Sequence, residues 1–223
     1  MEKIFDRLLL WEDVSLRNPA EQMACDEALL RSAGCPVLRL YRWAAPAVTF
    51  GYSQRLERVR AEARGLPLMR RWTGGGVVFH GDDLTLALAM PASEQVARLA
   101  SPEIYQKIHE SLLKAVRGVF ANARMVAPDE CREGPVCFES PVAHDLALGN
   151  SKLCGGALRR SREGVLYQGS LHGQGIAAHA IAHSLASQVE FFKDTLKDTS
   201  AIESLARRIA SERYTSIDWL MLR

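Results

Sequence analysis

No apolar run in this 223-residue chain approaches the roughly 20 residues that cross a bilayer, and no secretory leader is recognisable, so a cytoplasmic protein with no membrane partner is expected. Its five cysteines, Cys25, Cys35, Cys131, Cys137 and Cys154, form an odd set without a Cys-x-x-Cys pair, which argues against a disulfide framework and for reduced thiols. A formal charge of only +2 gives no reason to expect a nucleic-acid partner. Internal repeats and low-complexity linkers are absent. His179 and His183 have the one-face helical spacing of a metal pair, but no Glu stands between them and no third ligand is evident, so no metal site is expected.

What is present reads as an ordinary globular protein, 48% hydrophobic and 24% charged, long enough to bury a substantial core. Asn18, Pro19 and Glu21 form a capping box that predicts a helix running toward Gly34. Val37 to Trp43 and Ala47 to Phe50 read as two strands joined by a short turn. Leu84 to Met90 alternates large and small residues, as in a central strand approached closely on one face. Ser101-Pro102-Glu103 opens a second helix whose apolar stripe is Ile104, Ile108, Leu112, Ala115 and Val119. Residues 127–141 have neither period and read as a long loop. His144 to Leu148, a Gly149-Asn150 turn, Lys152 to Arg160, and Gly164 to His172 read as successive strands. The last 45 residues read as mainly helical. Helices interleaved with strands predict one α+β domain over residues 1–223, with a mixed or antiparallel sheet covered by helices.

Two runs carry the chemistry. In Arg70-Arg71-Trp72-Thr73-Gly74-Gly75-Gly76-Val77-Val78-Phe79-His80 the glycines have no Cβ, so the backbone there can take positive φ and lie directly against a ligand. The arginines would meet a phosphate or carboxylate. A β-rich segment follows, not a helix opening with Gly-Lys-Ser/Thr, which excludes the phosphate loop of NTPases and makes this a turn between strands. In Lys152-Leu153-Cys154-Gly155-Gly156-Ala157 an ammonium precedes a strand whose glycines leave room for a ligand, and such a cation can stabilise the charge that develops in acyl transfer. Arg159-Arg160-Ser161-Arg162 reads either as a solvated strand end or as a face for an acidic carrier protein or a phosphate.

Together with Asn18 to Leu30, Leu38 to Gln54 and Gly164 to Leu171, these runs stand in the order found in the lipoate–protein ligase and octanoyltransferase family, relatives of biotin ligases, which the chain resembles over most of its length. The resemblance implies a single catalytic domain without a C-terminal accessory domain. It also implies attachment of octanoate or lipoate to a lysine of a lipoyl domain or H-protein, from acyl carrier protein or another lipoyl protein. By the same resemblance Lys152 is the essential lysine and Cys137 the nucleophile of an acyl-enzyme. A thiol near an ammonium gains thiolate character, which suits that role. Cys154, two residues from Lys152 and hence on its strand face, is the competing nucleophile. Arg71, Thr73, Gly74, Gly75, Gly76, His80 and Gly155 would form the substrate pocket. The acid at Asp82-Asp83 favours a transferase needing no cofactor. The alternatives are a ligase acting through lipoyl-AMP with ATP and Mg, with or without a separate partner subunit, and a non-catalytic lipoyl-binding module. Gly81 and His144-Asp145 depart from the family pattern.

Overall fold

The computed structural model describes residues 3–131, 134, 139–191 and 199–222. Its elements are β1 (Phe5–Asp13), α1 (Pro19–Ser32), β2 (Val37–Tyr41), β3 (Ala47–Phe50), α2 (Leu56–Val59), β4 (Leu68–Arg70), β5 (Val78–His80), β6 (Leu84–Pro91), α3 (Ser101–Arg117), β7 (Arg124–Met125), β8 (Leu146–Leu148), β9 (Ser151–Ser161), β10 (Gly164–Leu171), α4 (Ala178–Leu185), β11 (Ala186–Phe191), α5 (Thr199–Ile209) and α6 (Ile217–Leu220). An eight-stranded mixed sheet has the order β11-β1-β2-β6-β10-β9-β8-β7, and a second sheet has the order β4-β3-β5. β1 runs parallel to both of its neighbours, and the other pairings of the large sheet are antiparallel.

The alternation read in β6 divides the core. Leu86, Leu88 and Met90 pack with Ile104, Ile108, Leu112 and Val116 of α3, while Ala87 and Ala89 lie under Met23, Ala24 and Ala28 of α1. Small residues on that second face let α1 sit close to the sheet, and each large aliphatic on the first contributes about 1.5–3 kcal/mol by leaving water. The capping box holds as read: Glu21 N donates to Asn18 Oδ1 and Asn18 N donates to Glu21 Oε2, each at 3.0 Å.

Several expectations shift. β2 and β3 are joined by a short connection but belong to different sheets, because β3 pairs with β4 and β5. α3 ends at Arg117, so Val116 takes the buried place and Val119 lies exposed beyond it. Ser101 begins α3 without capping it, its hydroxyl accepting instead from Arg160 Nε. The described part of the last 45 residues is mainly helical as read, but it also holds β11, which returns to pair with β1, a strand whose continuous buried run shows no clean alternation. The strand expected from His144 shortens to Leu146–Leu148, with His144 at φ 72°. No helix among the described residues is long and apolar enough to cross a membrane.

Candidate active site

Lys152 owes its position to a slip in strand pairing. Leu146 of β8 stands opposite Cys154 of β9, yet the next residue, Ala147, stands opposite Lys152, so β9 carries one extra residue. Leu153 and Cys154 therefore both enter the core beneath α3, and the alternation restarts with Lys152 and Gly155 turned to the same side. A Cβ on Gly155 would lie 2.2 Å from Lys152 Cε and 3.0 Å from Asp145 Oδ1. The missing side chain is the space in which the lysine meets its carboxylate. Lys152 Nζ is 2.7 Å from Asp145 Oδ2, and both side chains are almost wholly buried. Asp145 is itself held by Val142 N–H at 2.7 Å and by the Tyr105 hydroxyl at 2.5 Å, and Tyr105 Oη accepts in turn from Gly156 N–H.

The glycine turn joins β4 to β5, which lie on either side of β3. Gly75 takes φ 86°, and a Cβ there would touch Ala157 Cβ on β9 at 3.5 Å. A Cβ on Gly51 would fall 2.0 Å from Gly75 O, so two turns are stacked backbone to backbone. Arg71 staples this turn: its guanidinium donates to Gly74 O, Gly76 O and Thr49 Oγ1 at 2.7–2.8 Å. Arg70 is fully buried and donates to the carbonyls of Tyr52, Gln54, Trp219, Leu220 and Leu222. It ties the C-terminal segment to the small sheet, which removes it from the anion-binding role its sequence position invited.

Between the sheets lies a slot. Its floor crosses the strands through Gly155, Ser170, Thr85 and Tyr41, each opposite the next in register, and its roof carries Gly75, Val78 and His80. Three strand spacings give this floor a span of about 14 Å. His80 is stacked on Trp43 at 4.1 Å and has both ring nitrogens engaged, Nδ1 with Asp83 Oδ2 at 2.9 Å and Nε2 with Thr49 Oγ1 at 2.8 Å. Because a carboxylate only accepts, Nδ1 carries the proton and Nε2 accepts from Thr49, whose oxygen accepts from Arg71. Burial lowers the His80 pKa against the opposing pull of Asp83, which keeps the ring neutral. Burial alone would raise Asp83, but hydrogen bonds from His80, Ser170 and Gly81 hold its carboxyl well below the usual range. Thr73 donates to Gln168 Oε1 at 2.7 Å, and Gln168 Nε2 donates to the buried Asp26 at 2.7 Å, so the turn is tied through β10 to α1.

Residues 18–221 match the model of the lipoyl protein ligase A/B catalytic domain. The chain belongs to that family. Within the family it is 34% identical over 170 residues to an octanoyltransferase LipM from Exiguobacterium sp. strain AT1b, a match covering 69% of this chain and 62% of that protein. Octanoyltransferase LipM of Moorella thermoacetica is likewise 34% identical over 178 residues, 71% of this chain and 63% of the relative. These matches thus span less than two thirds of the length of the curated relatives. The bi-partite lipoate protein ligase of Thermoplasma acidophilum shares the fold, with a TM-score of 0.64 at 21% identity over 100% of this chain and 98% of the other.

Of the residues that the family resemblance singled out, Arg71, Gly75, His80 and Gly155 line the slot, and Thr73, Gly74 and Gly76 belong to the turn stapled above it. Lys152 stands beside Gly155 at one end. Cys137 lies outside the described residues. Cys154 is not on the lysine's face: the bulge reverses the alternation between them and leaves the thiol fully buried in the core. The basic cluster disperses, with Arg160 donating to Ala97 O and Leu99 O, Arg162 pairing with Glu163, and Arg159 over the rings of Tyr52 and Trp72. Tyr105 and Asp145 were not anticipated as partners of the lysine. Their one trace in sequence is that Tyr105 and His109 stand four apart beside the apolar stripe of α3, where the structure stacks them at 4.1 Å.

Proposed function

We propose that this chain is an acyltransferase of lipoate metabolism that moves an octanoyl or lipoyl group from a thioester donor, acyl carrier protein or another lipoyl protein, to a lysine of a lipoyl domain. The observation that carries this reading is a buried ammonium fixed at the end of a slot whose side chains are already engaged with one another. Names of the relatives support octanoyl as the group. In the first step the Cys137 thiol gives up its proton and attacks the donor carbonyl as a thiolate, a new C–S bond forms, the donor's own C–S bond breaks, and the donor sulfur leaves as a thiol carrying that proton. In the second, the neutral amine of the acceptor lysine attacks that thioester, the C–S bond breaks, an amide forms, and the displaced thiolate takes up the proton the amine loses. Lys152 donates a hydrogen bond to the carbonyl oxygen in both steps, where charge develops. No cofactor enters this scheme.

Incubation with octanoyl carrier protein, without a lipoyl domain, is expected to add one octanoyl mass to the peptide containing Cys137, labile to neutral hydroxylamine. Addition of a lipoyl domain should discharge it as an amide. Product formation that requires ATP and persists in Cys137→Ser would replace this scheme with ligation through lipoyl-AMP. No product from either donor would leave only a binding module.

A further inference from the structure

The slot poses a chemical puzzle, because much of its lining is polar although it is proposed to hold a hydrocarbon. Tyr41, Thr49, His80, Thr85, Gln168 and Ser170 all contribute to it. Their hydrogen bonds resolve the puzzle. Thr85 Oγ1 donates to Asp83 Oδ2 at 3.0 Å and accepts from Trp43 Nε1 at 2.8 Å. Ser170 Oγ donates to the same carboxylate oxygen at 2.7 Å, and Tyr41 Oη donates to Asp26 at 2.9 Å. Thr49 and His80 satisfy each other, and Gln168 bridges Thr73 and Asp26. Among the described residues, the side chains lining the slot leave no buried nitrogen or oxygen atom without a partner. Asp83 is the hub, drawing the hydroxyls of β6 and β10 and the ring of His80 onto one carboxylate.

We propose that this closed circuit makes the slot selective for a tail without hydrogen-bonding substituents, and that Ser170 is a specificity-determining residue because its hydroxyl occupies the carboxylate of Asp83. A tail carrying a hydroxyl would surrender its hydrogen bonds to water on entry and find the side-chain hydroxyl and ring donors around it already committed to other acceptors. Removing the Ser170 hydroxyl frees an acceptor site on Asp83 that a hydroxyl on the substrate can fill. Ser170 lies opposite Gly155, one strand in from the lysine's end, so the rescued position falls part-way along the tail.

This inference rests on the acyl-transfer reading. It is tested by letting octanoyl carrier protein compete with each monohydroxy-octanoyl isomer for a lipoyl domain, the product ratio being read by intact mass. A pocket of this kind discriminates against an added hydroxyl by about 100-fold, and that preference is expected of the unaltered protein. In Ser170→Ala the ratio is expected to shift at least about tenfold toward one mid-chain isomer, against octanoyl in the same tube. A general structural defect would slow both donors and leave the ratio unchanged. An unaltered protein that transfers every isomer as well as octanoyl overturns the proposal whether or not Ser170→Ala folds. So does an unchanged ratio in a folded Ser170→Ala. If octanoyl is neither bound nor transferred by folded protein, the acyl-transfer reading itself fails, and the selectivity falls with it.

Discussion

Lys152 is already paired before any substrate arrives, since Asp145 holds its ammonium at 2.7 Å and is itself held by Tyr105 and a main-chain amide. A buried cation so fixed loses little further freedom in the transition state, which is what makes a single donor effective. Lys152→Ala is therefore expected to fold and to lose about 100- to 1000-fold in turnover. Gly155→Ala should reproduce part of that loss without touching the lysine's chemistry, because the added methyl must displace the side chain it would meet at 2.2 Å. Single-turnover rates separate the outcomes, and a Gly155→Ala protein with unaltered rates would mean that the lysine need not occupy this space. A second expectation at this scale concerns His109. Burial first, and the Lys152 ammonium second, push its pKa down from 6.5 to about 3. A group depressed in the folded state contributes stability that is complete above its unfolded pKa and is lost as the pH falls toward the folded one. Melting should therefore drop more steeply with acid between pH 6.5 and pH 3 in the unaltered protein than in His109→Gln, which does not titrate. Parallel curves would show that His109 is not buried as a neutral ring.

At the scale of elements, the glycine turn and the turn after β3 behave as one unit. Gly51 has no room for a Cβ, the obstacle being main chain that no rotamer change can clear. Gly51→Ala is expected to cost stability on the order of 2–4 kcal/mol, as is Arg70→Met, which strips five carbonyls, one buried and four part-buried, of their donor. Urea midpoints at constant slope would check both. A change below about 0.5 kcal/mol would mean that the turns part easily. These elements also mark what the sequence can and cannot tell. The Asn18 capping box, the alternation of β6 and the stripe of α3 are local signals, and the structure carries them nearly residue for residue. Arg70 and Arg71 look alike in sequence, yet one bonds to the C-terminal segment some 150 positions away and the other to its own turn. Which arginine does which depends on a contact that local spacing does not encode. The extra residue in β9 was equally invisible, because a bulge is defined by the partner strand, and β8 is only three residues long.

For the whole molecule, the slot exists because the chain leaves its large sheet after β2, builds a second sheet from β3, β4 and β5, and returns as β6. Strands consecutive in sequence are thus separated in space, and the cavity is the gap between the two layers they form. Sequence patterns carried the α+β class through the longer elements α1, β2, β6, α3, β9 and β10, while the short α2 and β7 went unread. They did not give the division into two sheets, because the residues of β3 that face the slot and those that face the small core, such as Thr49 against Val48 and Phe50, differ no more than neighbours in any half-buried strand. Nor did they give β1 and β11, whose parallel pairing brings residues 186–191 back beside the first described strand.

The one-residue slip in β9 sets an unusual tolerance to change. Substitution at Leu153 alters packing and deletion there would leave Lys152 and Gly155 on one face, whereas one residue added to β8 between Leu146 and Ala147 would pair with Leu153, mend the ladder and turn Lys152 toward α3. The repaired strand would be the more regular one and would lack the feature on which the site depends. Length in β8 is therefore constrained more tightly than identity, and a lineage carrying this site can exchange many of its side chains but cannot gain a residue between Leu146 and Ala147 without a compensating change in β9.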